Sequence, residues 1–171
     1  MAPSESVQQH RSAAAGSLTF GIITVSDTRT LANDTGGDLI AGLLQGAGHS
    51  VATRVVVTDD RERIVTAVLE LVRDPTVDAV ITTGGTGIAR RDVTYEAVCS
   101  ILDRQIAGFG ELFRMLSWEE VGSAAMLSRA TAGAIGSTAI FSLPGSRNAI
   151  RLAMEKLILP EIEHVVFEIR K

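Results

Sequence analysis

Apolar, β-branched runs alternate with amphipathic stretches from residue 18 onward, and this alternation restricts the fold more than any other feature. In the segment 35–48, for example, Leu39, Ile40, Leu43 and Leu44 have the spacing of one helix face. Strand–helix alternation implies βαβ units, a parallel sheet and right-handed crossovers. We therefore predict the α/β fold class. Strands are predicted at 18–26, 49–57, 77–83 and 137–143. Helices are predicted at 35–48, 61–72, 93–102, at 111–130 in one or two pieces, and from 148 onward, the last kinked or broken at Pro160.

Length and charge limit the remaining possibilities. A chain of 171 residues suffices for one sizeable core, so we predict a single domain over residues 18–171 after a disordered Ser-, Gln- and Ala-containing tail, residues 1–17. A net charge of −4 argues against nucleic acid as a partner, and no apolar run is long enough for a membrane span. The single cysteine fits a reducing, cytoplasmic location, and the three scattered histidines argue against a zinc or haem site.

Polar or glycine-rich residues follow four of the predicted strands. They are Ser26-Asp27, Asp59-Asp60, residues 84–87 and Pro144-Gly145. In an open parallel sheet, ligands bind outside the carboxyl ends of the strands. The order of the elements therefore predicts one cleft that contains several carboxylates and a backbone lined by glycines.

The glycine loop "TTGGTG" matches neither of two familiar phosphate-binding motifs. If Gly85 and Gly87 are aligned with the first two glycines of the dinucleotide-binding motif G-x-G-x-x-G, Arg90 occupies the position of the third glycine. The lysine of a Walker loop is also absent. Glycines nevertheless let backbone N–H groups approach an anion closely, and the start of the next helix adds a favourable dipole. A lone Gly-Gly is more often a tight turn, but the neighbouring threonines and arginines favour an anion site.

The nearby carboxylates have two interpretations each. Asp92 precedes a predicted helix, so it is equally a helix cap or a functional carboxylate. Asp59 and Asp60 have the spacing of solvated turn residues. Carboxylates repel phosphates, so their presence beside an anion loop makes sense chiefly if Mg²⁺ bridges the two.

Residues of the predicted helix 111–130 are weaker candidates. Glu111 is as well explained by an exposed helix start, and Arg129 by an ordinary ion pair. Met126 and Leu127 are predicted to lie in the core, and Trp118 to serve packing rather than ligand stacking.

Six motifs in order give the chain a family resemblance. "TVSDT", "DDRERI", "TTGGTGIARRDVT", "GFGELFR", "LSRA" and "SLPGS" resemble the MoaB/MogA family of molybdenum cofactor biosynthesis, over residues 18 to about 166. The "FRMLSWEEVGSAAMLSRA" and "LPGS" segments are more similar to the MoaB branch. The resemblance implies a three-layer sandwich, with helices on both faces of a mostly parallel sheet, and a homotrimer or homohexamer.

The resemblance also implies a reaction. Active members bind molybdopterin, use MgATP to transfer AMP to its terminal phosphate, and release pyrophosphate before a partner protein inserts the metal. Some MoaB-branch members are doubtful enzymes, so a non-catalytic molybdopterin carrier or regulator is the alternative. An unrelated phosphosugar binder would require the resemblance to be accidental.

The resemblance assigns roles to individual residues. Asp59 and Asp92 correspond to the two carboxylates on which activity depends, and they are the tentative Mg²⁺ ligands. The predicted phosphate loop comprises Thr83, Gly84, Gly85, Thr86 and Gly87. The other positions expected to line the cleft are Ser26, Asp27, Glu111, Ser128, Arg129, Pro144, Gly145 and Ser146.

Overall fold

The computed structural model describes residues 16–171, so almost all of the predicted N-terminal tail lies outside the described residues. One six-stranded sheet runs through this part of the chain in the order β2-β1-β3-β6-β5-β4. β1, β2, β3 and β6 are mutually parallel, whereas β5 is antiparallel to both β6 and β4. The strands are β1 (Thr19–Val25), β2 (Ser50–Val57), β3 (Ala79–Thr83), β4 (Arg104–Gln105), β5 (Thr131–Ile135) and β6 (Thr138–Leu143).

Helices cover both faces of the sheet, which confirms the three-layer α/β prediction. The α-helices are α1 (Thr35–Gly46), α2 (Arg61–Arg73), α3 (Thr94–Cys99), α4 (Ala107–Val121), α5 (Arg147–Ala153) and α6 (Leu159–Arg170). Successive strand residues point to opposite faces: Ile22 packs in the cluster beneath α1, α4, α5 and α6, and Ile23 in the cluster beneath α2 and α3. Within residues 16–171, no helix is long and apolar enough to cross a membrane.

The helical prediction for residues 111–130 is confirmed as two pieces, but both of its bounds are wrong. α4 spans Ala107–Val121, a 3₁₀ turn follows at Gly122–Leu127, and the chain then enters β5. The missed strands are difficult to recognise because β4 has two residues and β5, "TAGAI", is rich in Ala and Gly. The overlooked signal is the two-residue Gly136-Ser137 turn between β5 and β6, in which Gly136 has a φ of 57°.

Pro160 does not break the C-terminal helix. A π turn at Met154–Ile158 joins α5 to α6, and the Leu159 N–H is bonded to the Met154 carbonyl. Pro160, which has no N–H to donate, is the second residue of α6 and directly follows this turn. The predicted irregularity is therefore a widened turn within a continuous helical segment.

The expectation that Met126, Leu127 and Trp118 are packed inside is wrong. They are 78%, 51% and 62% exposed. α4 turns a different face to the core, through Phe109 and Phe113. The helix is therefore apolar on two faces, and sequence periodicity alone cannot say which face is buried.

Asp34 is hydrogen-bonded to residues of α1, β1 and β2. It is 1% exposed, and its Oδ1 accepts the Gly37 N–H at 3.0 Å, so it caps α1. Its Oδ2 accepts the Thr24 hydroxyl at 2.8 Å and an Arg54 N–H at 3.3 Å. Arg54 also pairs with Asp38, whose side chain is 60% exposed.

We expect Asp34→Ala to lower the free energy of unfolding by about 3 kcal/mol, since it removes a cap and leaves buried donors unpaired. Asp38→Ala removes the exposed partner of the same arginine and should cost less than about 1 kcal/mol. Urea denaturation followed by circular dichroism, at one fixed protein concentration, measures both. Equal losses in the two variants would contradict the role assigned to Asp34.

Candidate functional site

The four predicted segments meet at one edge of the sheet. The Ser26 N–H donates to Val57 O at 2.8 Å, and the Gly84 N–H donates to Leu143 O at 3.1 Å. The Asp59 N–H donates to Asp27 Oδ1 at 3.0 Å. These bonds join the ends of neighbouring strands, so the convergence predicted from the order of the elements is present.

A cleft of about 160 Å³ opens at this edge. It contains four predicted site residues, Ser26, Thr83, Gly84 and Gly145. The Thr83 hydroxyl donates to Pro144 O at 3.2 Å, which joins the end of β3 to the segment after β6. Sequence reasoning missed the other five lining residues. These are Thr24, Val25, Arg29, Asp34 and Gly36.

One of the missed residues, Asp34, carries a recognisable signal, and another, Arg29, does not. Asp34 immediately precedes the helix-like "TGGDLI", which is the position of an N-cap. Arg29 lies in an irregular segment and has no such pattern. It brings a positive charge to the cleft, and it is held by a bond from its guanidinium to the Thr35 hydroxyl at 3.1 Å.

Close backbone packing explains the adjacent glycines of the loop. Gly84 has a φ of 97°, and a Cβ there would lie 2.3 Å from Val25 O. Gly85 has a φ of 63°, and a Cβ there would lie 2.4 Å from Asp59 Oδ1. Both positions therefore require glycine. Gly85 also brings the loop directly against the Asp59 carboxylate.

The glycine loop presents unpaired donors. Among the described residues, no acceptor takes the backbone N–H groups of Gly85, Thr86, Gly87 or Ile88. The loop folds back so that the Thr94 N–H at the start of α3 donates to Gly85 O at 2.9 Å. A run of free N–H groups is an arrangement suited to an anion.

Asp59 lies in an unfavourable electrostatic environment. Its side chain is 9% exposed. Burial, and then the negative charges of Asp27 and Asp92, raise the pKa of Asp59, although Arg91 opposes them. Arg91 pairs closely with Asp27 and lies 4.0 Å from Asp59 Oδ2. A folded protein that keeps a carboxylate in such a place has a candidate functional group.

One oxygen of Asp59 has no hydrogen-bond partner. Among the described residues, Asp59 Oδ1 and Thr94 Oγ1 are both buried and unpaired, and each lies within 2.4 Å of the point that a Gly85 Cβ would occupy. Within the same residues, no group of three or more His, Cys, Asp or Glu side chains forms a metal cage. An unpaired carboxylate oxygen with a second carboxylate nearby fits Mg²⁺, which uses one or two carboxylates together with water and substrate phosphates.

Asp92 is not a helix cap. α3 begins at Thr94, its N-cap is Val93, and no side chain caps it. Asp92 Oδ2 instead accepts the Ala89 N–H at 2.9 Å and lies beside Gly87. The capping interpretation is excluded. Asp60, by contrast, does cap a helix, because it accepts the Arg63 N–H at the start of α2.

Other predicted residues have structural partners near the edge. Ser146 caps α5 by accepting the Ala149 N–H at 3.2 Å, and Gly145 packs on Gly84. Ser128 directly precedes Arg129, whose guanidinium binds the glycine loop. Glu111 is exposed on α4, and no hydrogen bond or ion pair joins it to the other predicted site residues that the structure describes.

The fold and this edge define an α/β protein with a site suited to a phosphorylated ligand. A family model described as "Probable molybdopterin binding domain" matches residues 21–164. The chain therefore belongs to the molybdopterin-binding family of molybdenum cofactor biosynthesis proteins.

Individual relatives agree with this membership. "Molybdenum cofactor biosynthesis protein B" of Bacillus cereus is 52% identical over 97% of this chain and 99% of its own length. A crystal structure of a molybdenum cofactor biosynthesis protein B superposes with a TM-score of 0.89 at 54% identity, covering 90% of this chain and 96% of that one. The tungsten cofactor synthesizing protein MoaB from Pyrococcus furiosus has a TM-score of 0.82 at 38% identity, covering 92% and 99%.

Asp59→Asn should raise the melting temperature at pH 7, because it removes a charge that folding makes less favourable. A carboxyl whose pKa is raised by folding destabilises the folded state when ionised, so the gain appears above its ordinary pKa of 3.8. As the pH falls through the raised pKa towards 3.8, the difference from wild type should disappear.

Asp60→Asn is the matched control, since asparagine also caps helices and little change is expected. Thermal melts of the three proteins between pH 4 and pH 7 provide the comparison. A less stable Asp59→Asn at pH 7 would show that the Asp59 carboxylate is stabilising, contrary to its surroundings.

Proposed function

We propose that this protein adenylylates molybdopterin with MgATP and releases pyrophosphate. The observation that carries the proposal is the contact between the glycine loop, with its unpaired N–H groups, and the buried, unpaired oxygen of Asp59. A phosphorylated substrate needs the first feature, and a phosphate-bound divalent cation needs the second.

In this reaction, an oxygen of the pterin's terminal phosphate attacks the α-phosphorus of ATP in line. A new P–O bond forms as the bond to the pyrophosphate oxygen breaks. The attacking oxygen is already anionic and needs no strong general base. The chain's task is therefore to position two phosphorylated molecules and to neutralise their charge.

The residues divide this task between them. The free N–H groups of the loop bind phosphate oxygens, and Arg29 supplies positive charge within the cleft. Asp59 and Asp92 would hold Mg²⁺ or orient the phosphates. Bound Mg²⁺ would neutralise phosphate charge and so relieve the repulsion that raises the pKa of Asp59. We expect a second protein to insert the metal into the adenylylated product.

A carrier or regulator that binds molybdopterin without transferring AMP is the second candidate. The retention of both carboxylates favours the enzyme, since binding alone gives no reason to keep a destabilised Asp59 beside the loop.

An AMP-transfer assay decides between these candidates. Wild type, with molybdopterin, ATP and Mg²⁺, should form adenylylated pterin and pyrophosphate. Asp59→Ala and Asp92→Ala should lower turnover by about 100-fold or more while pterin binding changes less. Asp60→Ala, which loses only a helix cap, is the control and should retain most of the turnover.

Pterin binding without product in wild type would establish the carrier. Full activity in Asp59→Ala would remove that residue from the mechanism.

We also propose that the chain forms a homotrimer or homohexamer through an apolar stripe, defined here as Leu112, Met115, Trp118 and Val121. These α4 side chains recur every three residues and are 46–62% exposed. The 3₁₀ turn after α4 extends the stripe with the exposed Met126 and Leu127. A second copy would bury this surface, as expected for a large exposed apolar patch.

Trp118→Glu should dissociate the oligomer to monomers, because a buried interface does not accept an unpaired charge. Leu31→Glu is the control, since Leu31 is similarly exposed but lies outside the stripe. Light scattering coupled to size exclusion measures the mass of each variant. An unchanged oligomer in Trp118→Glu would place the interface elsewhere.

A further inference from the structure

Arg129 binds the glycine loop through its backbone. Nε donates to Thr86 O at 3.0 Å. One terminal nitrogen, Nη2, donates to Asp92 O at 3.1 Å and also to Gly87 O. A single guanidinium thus donates hydrogen bonds to three carbonyl oxygens, two at the start and one at the end of the segment 86–92.

The charge of Arg129 is already neutralised by the protein. Its other terminal nitrogen, Nη1, forms an ion pair with Glu96, and the guanidinium lies 5.1 Å from the centre of the Tyr95 ring. Burial opposes the effect, but the hydrogen bond from Arg129 lowers the pKa of Glu96 below its usual value. Every nitrogen of Arg129 therefore donates to a protein oxygen, which disfavours a direct role in phosphate binding.

Peptide geometry determines how the hydrogen bonds from Arg129 orient the peptide groups of the loop. All described peptide bonds are trans, so each carbonyl and the N–H of the next residue point in opposite directions. When the carbonyls of Thr86, Gly87 and Asp92 point to Arg129, the N–H groups that follow them point away. These belong to Gly87, Ile88 and Val93, and no acceptor among the described residues takes them.

We propose that Arg129 is a positioning residue that turns the N–H groups of Gly87, Ile88 and Val93 outward to bind a phosphate group. This role rests on the proposed function, because it names how the same site recognises its phosphorylated substrate. Arg129 acts through the backbone and does not contact the ligand. Lysine cannot replace it, because one ammonium lacks the planar set of donors that reaches all three carbonyls.

Amide chemical shifts during a titration with inorganic pyrophosphate test this role directly. In ¹⁵N-labelled wild type, the resonances of Gly87, Ile88 and Val93 should shift on addition of pyrophosphate. In Arg129→Lys these shifts should be lost, and the Kd for pyrophosphate should rise by about tenfold or more.

Two variants serve as controls. Arg104 also donates from its guanidinium to a glycine carbonyl, that of Gly136, but in the β5–β6 turn, so Arg104→Lys should bind pyrophosphate within about twofold of wild type. Glu96→Gln removes the counter-ion of Arg129 and keeps the carbonyl bonds, so its amide response should persist. This second variant also tests the positioning role of Arg129 if Arg129→Lys folds poorly.

The role is overturned if pyrophosphate leaves these three amides unmoved in wild type, or if Arg129→Lys binds as wild type does. Loss of binding in Glu96→Gln would also overturn it, since charge balance would then be the cause. AMP transfer measured on the same samples separates the two proposals. An Arg129-dependent amide response without transfer upholds the positioning role and rejects the enzyme, whereas wild-type transfer in Arg129→Lys rejects the positioning role alone.

Discussion

The parallel pairing of β1, β2, β3 and β6 is the constraint on which the site depends. Parallel strands place their carboxyl ends at one edge, so segments far apart in sequence become neighbours there. The bond from the Gly84 N–H to Leu143 O and the bond from the Asp59 N–H to Asp27 Oδ1 are direct results. A change in strand order would separate the carboxylates from the glycine loop without altering any individual motif.

This convergence of segments changes the electrostatic environment of Asp59. Its neighbours Asp27 and Asp92 arrive from different segments, and together with burial they raise the pKa of a carboxyl that would be unremarkable in a turn. Asp60, the next residue, caps α2 and has an ordinary structural role. Two adjacent and identical residues therefore differ in environment, because one lies at the edge of the sheet and the other caps a helix.

The chain's similarity to MoaB proteins extends through α4 and the turn that follows it. This region is apolar on two faces, of which the core uses only one. The exposed face ends at Leu127, two residues before Arg129, which binds the glycine loop. A surface suited to a second copy of the chain therefore lies next to the candidate site in sequence.

The sequence alone determined the order of the four parallel strands and of the helices, the edge that carries the candidate site, and the family, because local periodicity and motif order are present directly in the chain. It did not reveal the short β4 and β5, whose pairing depends on distant partners. Only the tertiary structure decided that Asp92 binds within its loop, that Asp34 and Arg29 line the cleft, and that Arg129 binds three loop carbonyls. The contacts of Arg129 and the lining of the cleft join distant segments, which no local pattern encodes. The Asp92 bond is local, but the sequence predicts a helix cap at that position equally well.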